Sequence, residues 1–507
     1  MSMAFIPWPT TSLLGRIEFR LPWLALLPLV LIPVVGGDSG SLNNLLFATE
    51  LLLLAAGVRR PVWVVAALVM SEMTAANFIH EFGGFQLSNR LLLAGISIPI
   101  VLPHVAARAD IGPRAKVTVG LALAFVAITT VGNMAYADDG AVVQFLRYTC
   151  LGVYLMVLIP ISIRDHEDLR DLCALLLGLA LLAALVGASQ HWSDSRGTPL
   201  WQAIPHPGAP GESFATWETR AVALSDNPIL AGNVLMVAGL FALGALLVAP
   251  FQTNTKRFLA AGFLLMAATS YFTFTRSWAI AMVPALGSMA LLYRGQYKRE
   301  FWMLIVVMGA GLWYWSDMQS SRYTQDTTTD SSAAARPVLW TVGLNIAYDH
   351  PWLGVGHDAF LELSPEYAST VDDTLLERAD AKNLLGKYTP HNDLLNIWLS
   401  WGFFALLIYA ALTLAICRNF FVTFNTAADP LLQGLALGGL AAMIGFQANS
   451  LFHNFLDSTL TFWILAGFSL VLLKLGPRTP VARTPALGPQ TPVLVRNQKG
   501  EWEECAV

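Results

Sequence analysis

The sequence predicts an all-α fold, a polytopic membrane bundle of about 14 transmembrane helices with a helical loop capping its outer face. Hydrophobic residues make up 55% of the 507 residues and charged residues 13%, about half the charged share of an average soluble protein. The mean hydropathy is +0.56. The apolar residues fall in long runs, without the alternation expected of a membrane β-barrel. These observations exclude a disordered chain, a disulfide-rich secreted scaffold and an ordinary cytosolic enzyme.

Fourteen stretches approach the length of about 20 apolar residues that a helix needs to cross a bilayer. Their approximate limits are 21–36, 42–58, 61–79, 88–106, 116–136, 141–162, 171–190, 227–250, 257–274, 277–293, 300–316, 394–417, 431–451 and 459–475. A long polar leader precedes the first stretch and no clear cleavage motif follows it. We therefore interpret this stretch as an uncleaved span.

Lysine and arginine are concentrated in alternate joints between these stretches. Arg59 and Arg60 occupy one such joint, whereas the joints at 36–41, 137–140 and 452–458 contain neither residue type. Basic joints stay on the cytoplasmic side of a membrane. The pattern therefore predicts cytoplasmic termini, as an even number of spans requires.

The chain divides into four predicted regions. They are a transmembrane bundle at 1–316 with an external loop at 191–226, an external loop domain at 317–393, the last transmembrane helices at 394–475, and a disordered cytoplasmic tail at 476–507. The tail repeats Thr-Pro and has few residues that could form a core. None of the four cysteines falls in a predicted external loop, so no structural disulfide is expected.

The external loop at 317–393 carries a helical pattern. Pro337 suits the first position of a helix, apolar residues recur at helical spacing as far as Leu344 and beyond, and Pro351 ends the segment. The pattern predicts an amphipathic helix, and the stretch 371–388 reads as a second, more polar helix. We expect this loop to be a folded cap over the bundle.

A charged residue inside a span costs about 2.5–3.5 kcal/mol on insertion scales, and three such residues lie well inside predicted spans. They are Glu50, Glu72 and Arg147. They could form one buried structural ion-pair network, or they could be the proton relay of a transporter. The sequence leaves both interpretations open.

The predicted outer face carries a second group of polar residues. Arg220, Arg276 and Arg336 lie in the segments WETRAVALSDNPILAGN, FTFTRSWA and AAARPVLW, and His391 and Asn392 lie in TPHNDLLN. Arginine binds phosphate through two-point hydrogen bonds, and histidine can accept a proton near neutral pH. This set is what glycosyl transfer from a lipid diphosphate requires. Each arginine alone could equally anchor the membrane interface, and the histidine could be a cap or a surface residue.

Four segments, in this order, are similar to the bacterial O-antigen ligase/polymerase family. They are FTRSWA, RPVLW, HPWLGVGHDAF and HNDLLNIWLSWGFF. The earlier RAVALSDNPILAGN also resembles a segment of the family, and the similarity covers about residues 215–415. The Gly354-x-Gly356 pair within it is not a nucleotide fingerprint, since no strand precedes it and a third glycine is missing; it fits a turn with positive φ.

The resemblance implies a metal-independent, inverting glycosyltransferase of the membrane-embedded C-type class, which needs no cofactor. It implies that the chain lies in the bacterial inner membrane and takes a glycan from undecaprenyl diphosphate at the periplasmic face. Arg276, Arg336 and Arg220 correspond to arginines that bind the diphosphate, and His391 corresponds to the proposed base. Asn392 and Asp393 would support the site, with Asp393 either orienting His391 or capping the helix.

The expected partners are the lipid-linked glycan donor, a glycan acceptor and the bilayer, with other polysaccharide assembly proteins as candidates and no nucleic acid. Within the family, a polymerase joining lipid-linked repeats is slightly favoured by the span count and the tail. The alternative is an O-antigen ligase acting on lipid A core or protein. A third function, of another class, is a transporter or flippase, motivated by Glu50, Glu72 and Arg147.

Overall fold

The structure is a computed structural model in which helices make up nearly all of the regular structure described. It describes residues 39–74, 79–82, 85–105, 113–136, 145–194, 221–225, 227–273, 275–295, 298–299, 301–303, 305–306, 309–310, 327–357, 359–373, 376, 385–476, 493–496 and 502–505.

The helices follow one another along the chain as the apolar stretches do. In the first half of the chain they are α1 (Ser39–Gly57), α2 (Val62–Met73), α3 (Asn89–Val105), α4 (Pro113–Tyr136), α5 (Leu151–Ser162), α6 (His166–Asp194) and α7 (Pro228–Val248). In the second half they are α8 (Thr253–Phe272), α9 (Arg276–Leu292), α10 (Thr327–Asp349), α11 (Ala359–Leu363), α12 (Asp393–Thr426), α13 (Pro430–Ser450) and α14 (Thr461–Leu475). A π-helical turn, Phe145–Cys150, leads into α5, and a 3-10 turn, Glu366–Thr370, follows α11.

Five helical segments of the described chain are long and apolar enough to cross a membrane. They are Arg114–Met134, His166–His191, Pro228–Val248, Asp393–Thr426 and Pro430–Ser450. Shorter apolar helices occupy several of the other predicted stretches. The chain is therefore a multi-pass membrane helix bundle. The count of about 14 spans stays a prediction, because the stretch 21–36 and most of 300–316 lie outside the described residues.

Two small antiparallel hairpins depart from the all-α expectation. β1 (Ile79–Phe82) pairs with β2 (Phe85–Ser88), and β3 (Val493–Arg496) pairs with β4 (Trp502–Cys505). The second hairpin lies in the tail that was expected to be disordered throughout, so this expectation is wrong for those two strands. The Thr-Pro repeats before β3 lie outside the described residues.

Helices α7 and α13 cross at very short distance because glycines face each other at the crossing. A Cβ atom on Gly244 would lie 2.3 Å from the carbonyl oxygen of Gly434 and 2.5 Å from the backbone nitrogen of Gly438. Small residues let membrane helices approach closely enough for backbone-to-backbone packing. Helix α13 thus forms the centre of the second half of the bundle, between α7 and α12.

Basic joints meet at one end of the bundle. The Arg60 guanidinium pairs with Asp168 at 2.5 Å, which links the joint before α2 to the first turn of α6. The Lys474 ammonium, at the end of α14, donates to the carbonyl oxygen of Ile163 at 2.9 Å. Since α12, α13 and α14 alternate in direction, this end is opposite to the one at which α12 begins.

The buried charges of the first helices form an ion pair with a different arginine from the one predicted. The Arg90 guanidinium lies 3.1 Å from the Glu72 carboxylate, and both side chains are almost fully buried. The other Glu72 oxygen accepts a hydrogen bond of 2.8 Å from the backbone N–H of Leu460, just before α14. Glu50 accepts from Asn89 at 2.7 Å. The side chain of Arg147 lies outside the described residues.

Helix α12 is broken at Gly402, and the loop after α10 fills the break. Gly402 has φ 82° and ψ 174°, a conformation open almost only to glycine. The backbone N–H groups of Val355 and Gly356 donate to the carbonyl oxygens of Leu399 and Ser400, each at 2.8 Å, so the carbonyls freed by the break are satisfied. Gly354 and Gly356 have φ 71° and 93°, which confirms the predicted positive-φ turn.

Helix α10 begins earlier than the sequence pattern predicted. It starts at Thr327, so Pro337 lies inside the helix and not at its first position. The alanines before Pro337 are strong helix formers, and they extend the helix at the cost of one backbone hydrogen bond. The helix ends at Asp349, two residues before Pro351, as predicted. Most of the stretch 371–388, predicted as a second helix, lies outside the described residues.

The loop around α10 has a small core of its own. Apolar side chains of α10 and α11 pack with Leu399 from the first part of α12. This core ties α10, which carries Arg336, to the start of α12, which follows His391.

Candidate functional site

Arg276 is the first residue of α9 and is exposed at the end of the bundle opposite to the basic joints. The preceding helix ends at Phe272, and Thr273 closes that helix by donating from its hydroxyl to the carbonyl oxygen of Ser270 at 2.7 Å. The short joint between α8 and α9 thus fixes the position of Arg276 at the end of the bundle. The short joint between two apolar stretches predicted that this arginine lies at a helix end, and it does.

Arg336 approaches the same place from α10. Its guanidinium lies 5.8 Å from the centre of the Phe452 ring, and its Nε is buried without a hydrogen-bond partner among the described residues. Burial, and then the positive charge of Arg276, lowers the pKa of the Arg336 guanidinium. The two arginines therefore repel each other across a short distance. An anion bound between them would remove this repulsion.

His391 lies directly before α12 in a strained conformation. Its φ of 51° is in the left-handed region, which few non-glycine residues adopt. The segment is held against α10, because the Trp340 indole N–H donates to the carbonyl oxygen of Pro390 at 2.9 Å. Burial, and then the charge of Arg336, lowers the pKa of His391 to about 4. The imidazole is therefore neutral near pH 7 and able to accept a proton.

Asn392 and Asp393 have structural partners that assign their roles. The Asn392 side chain caps α12 by accepting from the backbone N–H of Leu395 at 3.1 Å. The carboxylate of Asp393 is fully buried and accepts from the backbone N–H of Leu456, at 3.1 Å for one oxygen and 3.3 Å for the other. The expectation that Asp393 caps the helix is therefore wrong, since Asn392 holds that position. These contacts of Asp393 anchor the joint after α13, and its orienting of His391 stays a prediction.

The joint between α13 and α14, residues 451–460, supplies site residues that the sequence analysis missed. His453 shares a hydrogen bond of 2.8 Å between its Nε2 and the Ser277 hydroxyl, and its ring centre lies 6.5 Å from that of His391. The side chain of Asn454 accepts from the backbone N–H of Asn392 at 2.8 Å. A signal was present, because FHNFLDS is a polar run between two apolar stretches. In the sequence, this run indicated only an external joint, through its lack of lysine and arginine.

A further polar group lies on the other side of the first turn of α12. The Asn396 amide donates to Asp457 at 2.5 Å, and the His357 ring lies 3.9 Å from the same carboxylate. The His357 ring also stacks on Trp401, with ring centres 5.9 Å apart and planes 8° apart. These contacts join the loop after α10, the start of α12 and the joint 451–460.

The structure thus brings Arg276, Arg336 and His391 together, with Asn392 and Asp393 beside them. Arg220 lies outside the described residues. Among the described residues, no three histidine, cysteine, aspartate or glutamate side chains are grouped so that they could hold a metal ion. Chemistry without a metal stays a prediction.

The fold and the site define a class: a multi-pass membrane helix bundle with two neighbouring arginines and a histidine of lowered pKa at one end. Residues 261–410 match the sequence model of a family described as O-antigen ligase. This match confirms the resemblance to the O-antigen ligase/polymerase family and includes Arg276, Arg336 and His391. It ends before the joint 451–460. No curated protein sequence matches the chain significantly.

Proposed function

We propose that this chain transfers glycan units from undecaprenyl diphosphate at the periplasmic face of the bacterial inner membrane. The family match supports transfer or ligation of a lipid-linked glycan. The observation that carries the proposal is the convergence of three residues from separate elements: Arg276 at the start of α9, Arg336 within α10 and His391 directly before α12. The donor, the acceptor and the orientation in the membrane are parts of the proposal.

The two arginines are proposed to bind the diphosphate. Arg276 is exposed and can meet the incoming lipid head group, whereas Arg336 is partly buried, where a charge acts more strongly because less water surrounds it. Their mutual repulsion makes the empty site unfavourable and a bound dianion favourable. Arg220 remains a third candidate for the same role. In this proposal the arginines stabilise the leaving diphosphate without a metal ion.

His391 is proposed to be the general base. The acceptor hydroxyl gives its proton to the imidazole, its oxygen bonds to the anomeric carbon, and the bond from that carbon to the diphosphate breaks. The bonding pair leaves with the diphosphate, and attack from the opposite side inverts the anomeric centre. A base with a pKa of about 4 is weak, but a bound diphosphate would offset the charge of Arg336 and raise the pKa of His391. Donor binding would thereby activate the base.

Between the two reactions of the family, we favour polymerisation, in which the acceptor is another lipid-linked repeat. The support is the large number of apolar stretches and the long tail. Ligation to lipid A core or to protein is the alternative, and the description of the matched family is consistent with it. Transport is less well supported, because Glu72 pairs with Arg90 and binds the Leu460 N–H, which is a structural role for one of the two carboxylates that motivated it.

The test compares the lipid-linked and released glycans of a deletion strain with those of its parent. Loss of a polymerase should leave single repeats that are never joined, whereas loss of a ligase should leave full-length polymer on its lipid carrier. Unchanged polymer length and unchanged release would contradict the proposed function. Repeats accumulating on the cytoplasmic side would indicate a transporter instead.

A further inference from the structure

Residues of the joint 451–460 contact each of the elements that carry the proposed site. The Phe452 ring lies under the Arg336 guanidinium and 6.4 Å from the Trp340 ring of the same helix. Asn454 holds the backbone of Asn392, one residue after His391. The remaining element, the start of α9, is reached by His453.

His453 lies between the start of α9, which carries Arg276, and the segment that carries His391. Its Nε2 bonds the hydroxyl of Ser277, the residue directly after Arg276, and its ring centre lies 6.5 Å from that of His391, with the ring planes 72° apart. Ser277 and His453 are both buried, with 4% and 7% of their surface exposed, so water competes little for their hydrogen bond. The bond fixes the first turn of α9 relative to the joint, and the joint is itself fixed to the start of α12.

We propose that His453 is a positioning residue which, through its bond to Ser277, sets the spacing between Arg276 and His391. This inference rests on the proposed function. In that reaction the acceptor oxygen, the anomeric carbon and the diphosphate must be aligned while held by residues from different helices. A misplacement of about 1 Å between such groups can lower a rate about 100-fold. The joint 451–460 thus belongs to the site, although it lies beyond the segment matched by the family model.

A purely structural hydrogen bond would give a different pattern of effects from a positioning one. Four variants distinguish a structural role from a positioning role. His453→Phe keeps a ring but loses the bond, whereas His453→Gln can restore the bond to the Ser277 hydroxyl. Ser277→Ala removes the other partner, and the fourth variant combines Ser277→Ala with His453→Phe. Ser469→Ala is the matched control, because it also removes a buried hydroxyl that takes part in a contact between helices. That hydroxyl, two turns into α14, donates to the carbonyl oxygen of Ala466 and accepts from the Asn419 amide of α12 at 3.4 Å.

The experiment measures kcat and KM for the lipid-linked donor, with the thermal unfolding midpoint of each purified variant. We expect His453→Phe and Ser277→Ala each to lower kcat about 10- to 100-fold with KM changed less than about twofold. The double variant should be no slower than the slower single variant, because both changes remove one interaction. His453→Gln should recover most of the turnover, and Ser469→Ala should turn over normally.

Wild-type turnover in His453→Phe, or an equal loss in His453→Phe and His453→Gln, would overturn the positioning role. If His453→Phe fails to fold, Ser277→Ala decides by the same criterion, since normal turnover there would show that the bond is dispensable. A complete absence of transfer by the unsubstituted chain is a separate result. It would overturn the proposed function and the role of His453 with it.

Discussion

Arg276 and Arg336 are close enough for the charge of one to oppose the charge of the other. The folded protein keeps this pair together despite the repulsion between the two charges, and one of the pair, Arg336, is partly buried. This is the arrangement that an anion-binding site requires and that a pair of membrane-interface anchors does not. A phosphate-binding arginine depends on the planar geometry of its guanidinium group as well as on its charge, whereas an interface anchor depends on the charge.

Replacing Arg276 or Arg336 with lysine should therefore not preserve activity. Lysine keeps the charge but loses the planar fork that binds two phosphate oxygens at once. We expect Arg276→Lys and Arg336→Lys to lower kcat at least about tenfold, measured as glycan transferred by purified protein at saturating donor. Arg294→Lys is the control, because Arg294 is an exposed arginine at the other end of α9 and should tolerate the change. Full activity of both site variants would contradict the diphosphate-binding role.

The pKa of His391 gives a second prediction at this scale. A base must be unprotonated to act, so activity falls as the pH drops below its pKa. The free protein has a His391 pKa of about 4, and bound diphosphate should raise it by offsetting Arg336. The acidic limb of kcat should consequently lie at higher pH than the acidic limb of kcat/KM for the donor. Arg336→Gln should move the kcat/KM limb to higher pH. Two coinciding limbs in the wild type would contradict this account of the base.

At the scale of single elements, the break in α12 determines where the site lies. The loop after α10 can enter the helix only because Gly402 and Gly354 have no side chains. A Cβ atom on Gly402 would lie 1.9 Å from the carbonyl oxygen of Trp352, and one on Gly354 would lie 2.4 Å from the carbonyl carbon of Ser400. The loop and the first part of α12 therefore fix each other in position. This contact also fixes α10, which precedes the loop, relative to His391, which precedes α12.

Gly402→Ala should destabilise the protein and reduce activity together. The left-handed backbone alone costs a non-glycine residue about 1–3 kcal/mol, and the contact with Trp352 adds to that. Gly287→Ala is the control, because Gly287 lies in α9 with nothing within 4 Å of its added Cβ, and alanine favours a helix. The thermal unfolding midpoint and the transfer rate should fall for the first variant only. A normal midpoint for Gly402→Ala would contradict the inserted loop.

Particular residues show how far the sequence predicts these elements. Arg276 and His391 were predicted to share a face because both adjoin the ends of apolar stretches, and this reasoning needs only the direction in which the chain crosses the bundle. The start of α10 was placed wrongly because a local proline rule competed with an alanine run that favours helix. The role of His453 was missed because its partner, Ser277, is 176 positions away, and no local pattern encodes such a contact.

At the scale of the whole molecule, buried polar contacts join the early helices to the late ones. The carboxylate of Glu72 pairs with Arg90 of α3 and also binds the N–H of Leu460, so the joint 451–460 is fixed to α2 as well as to the site. The sequence left open whether Glu50, Glu72 and Arg147 form a structural network or a proton relay, and it did not single out Arg90, which pairs with Glu72. Which arginine reaches a buried carboxylate depends on how the helices rotate and pack, and apolar periodicity leaves that rotation open.

The two ends of the bundle also differ in chemistry. Arg60 pairs with Asp168 at one end of the bundle, whereas Arg276, Arg336 and His391 lie at the other, where burial and then like charge lower the pKa of Arg336 and of His391. This polarity agrees with the distribution of lysine and arginine along the sequence. It supports placing the proposed reaction at the outer surface of the membrane.

The most direct measurement of the central claim is the release of undecaprenyl diphosphate by the purified protein during glycan transfer, counted against the new glycosidic bonds. The account predicts one diphosphate lipid released per bond, unaffected by a chelator. It predicts a loss of about 100- to 10,000-fold for His391→Ala, as expected when a general base is removed. His350→Ala, which removes an exposed histidine at the end of the loop helix, should behave as the wild type. Absence of release by the wild type, or equal release by His391→Ala at matched protein levels, would contradict the account.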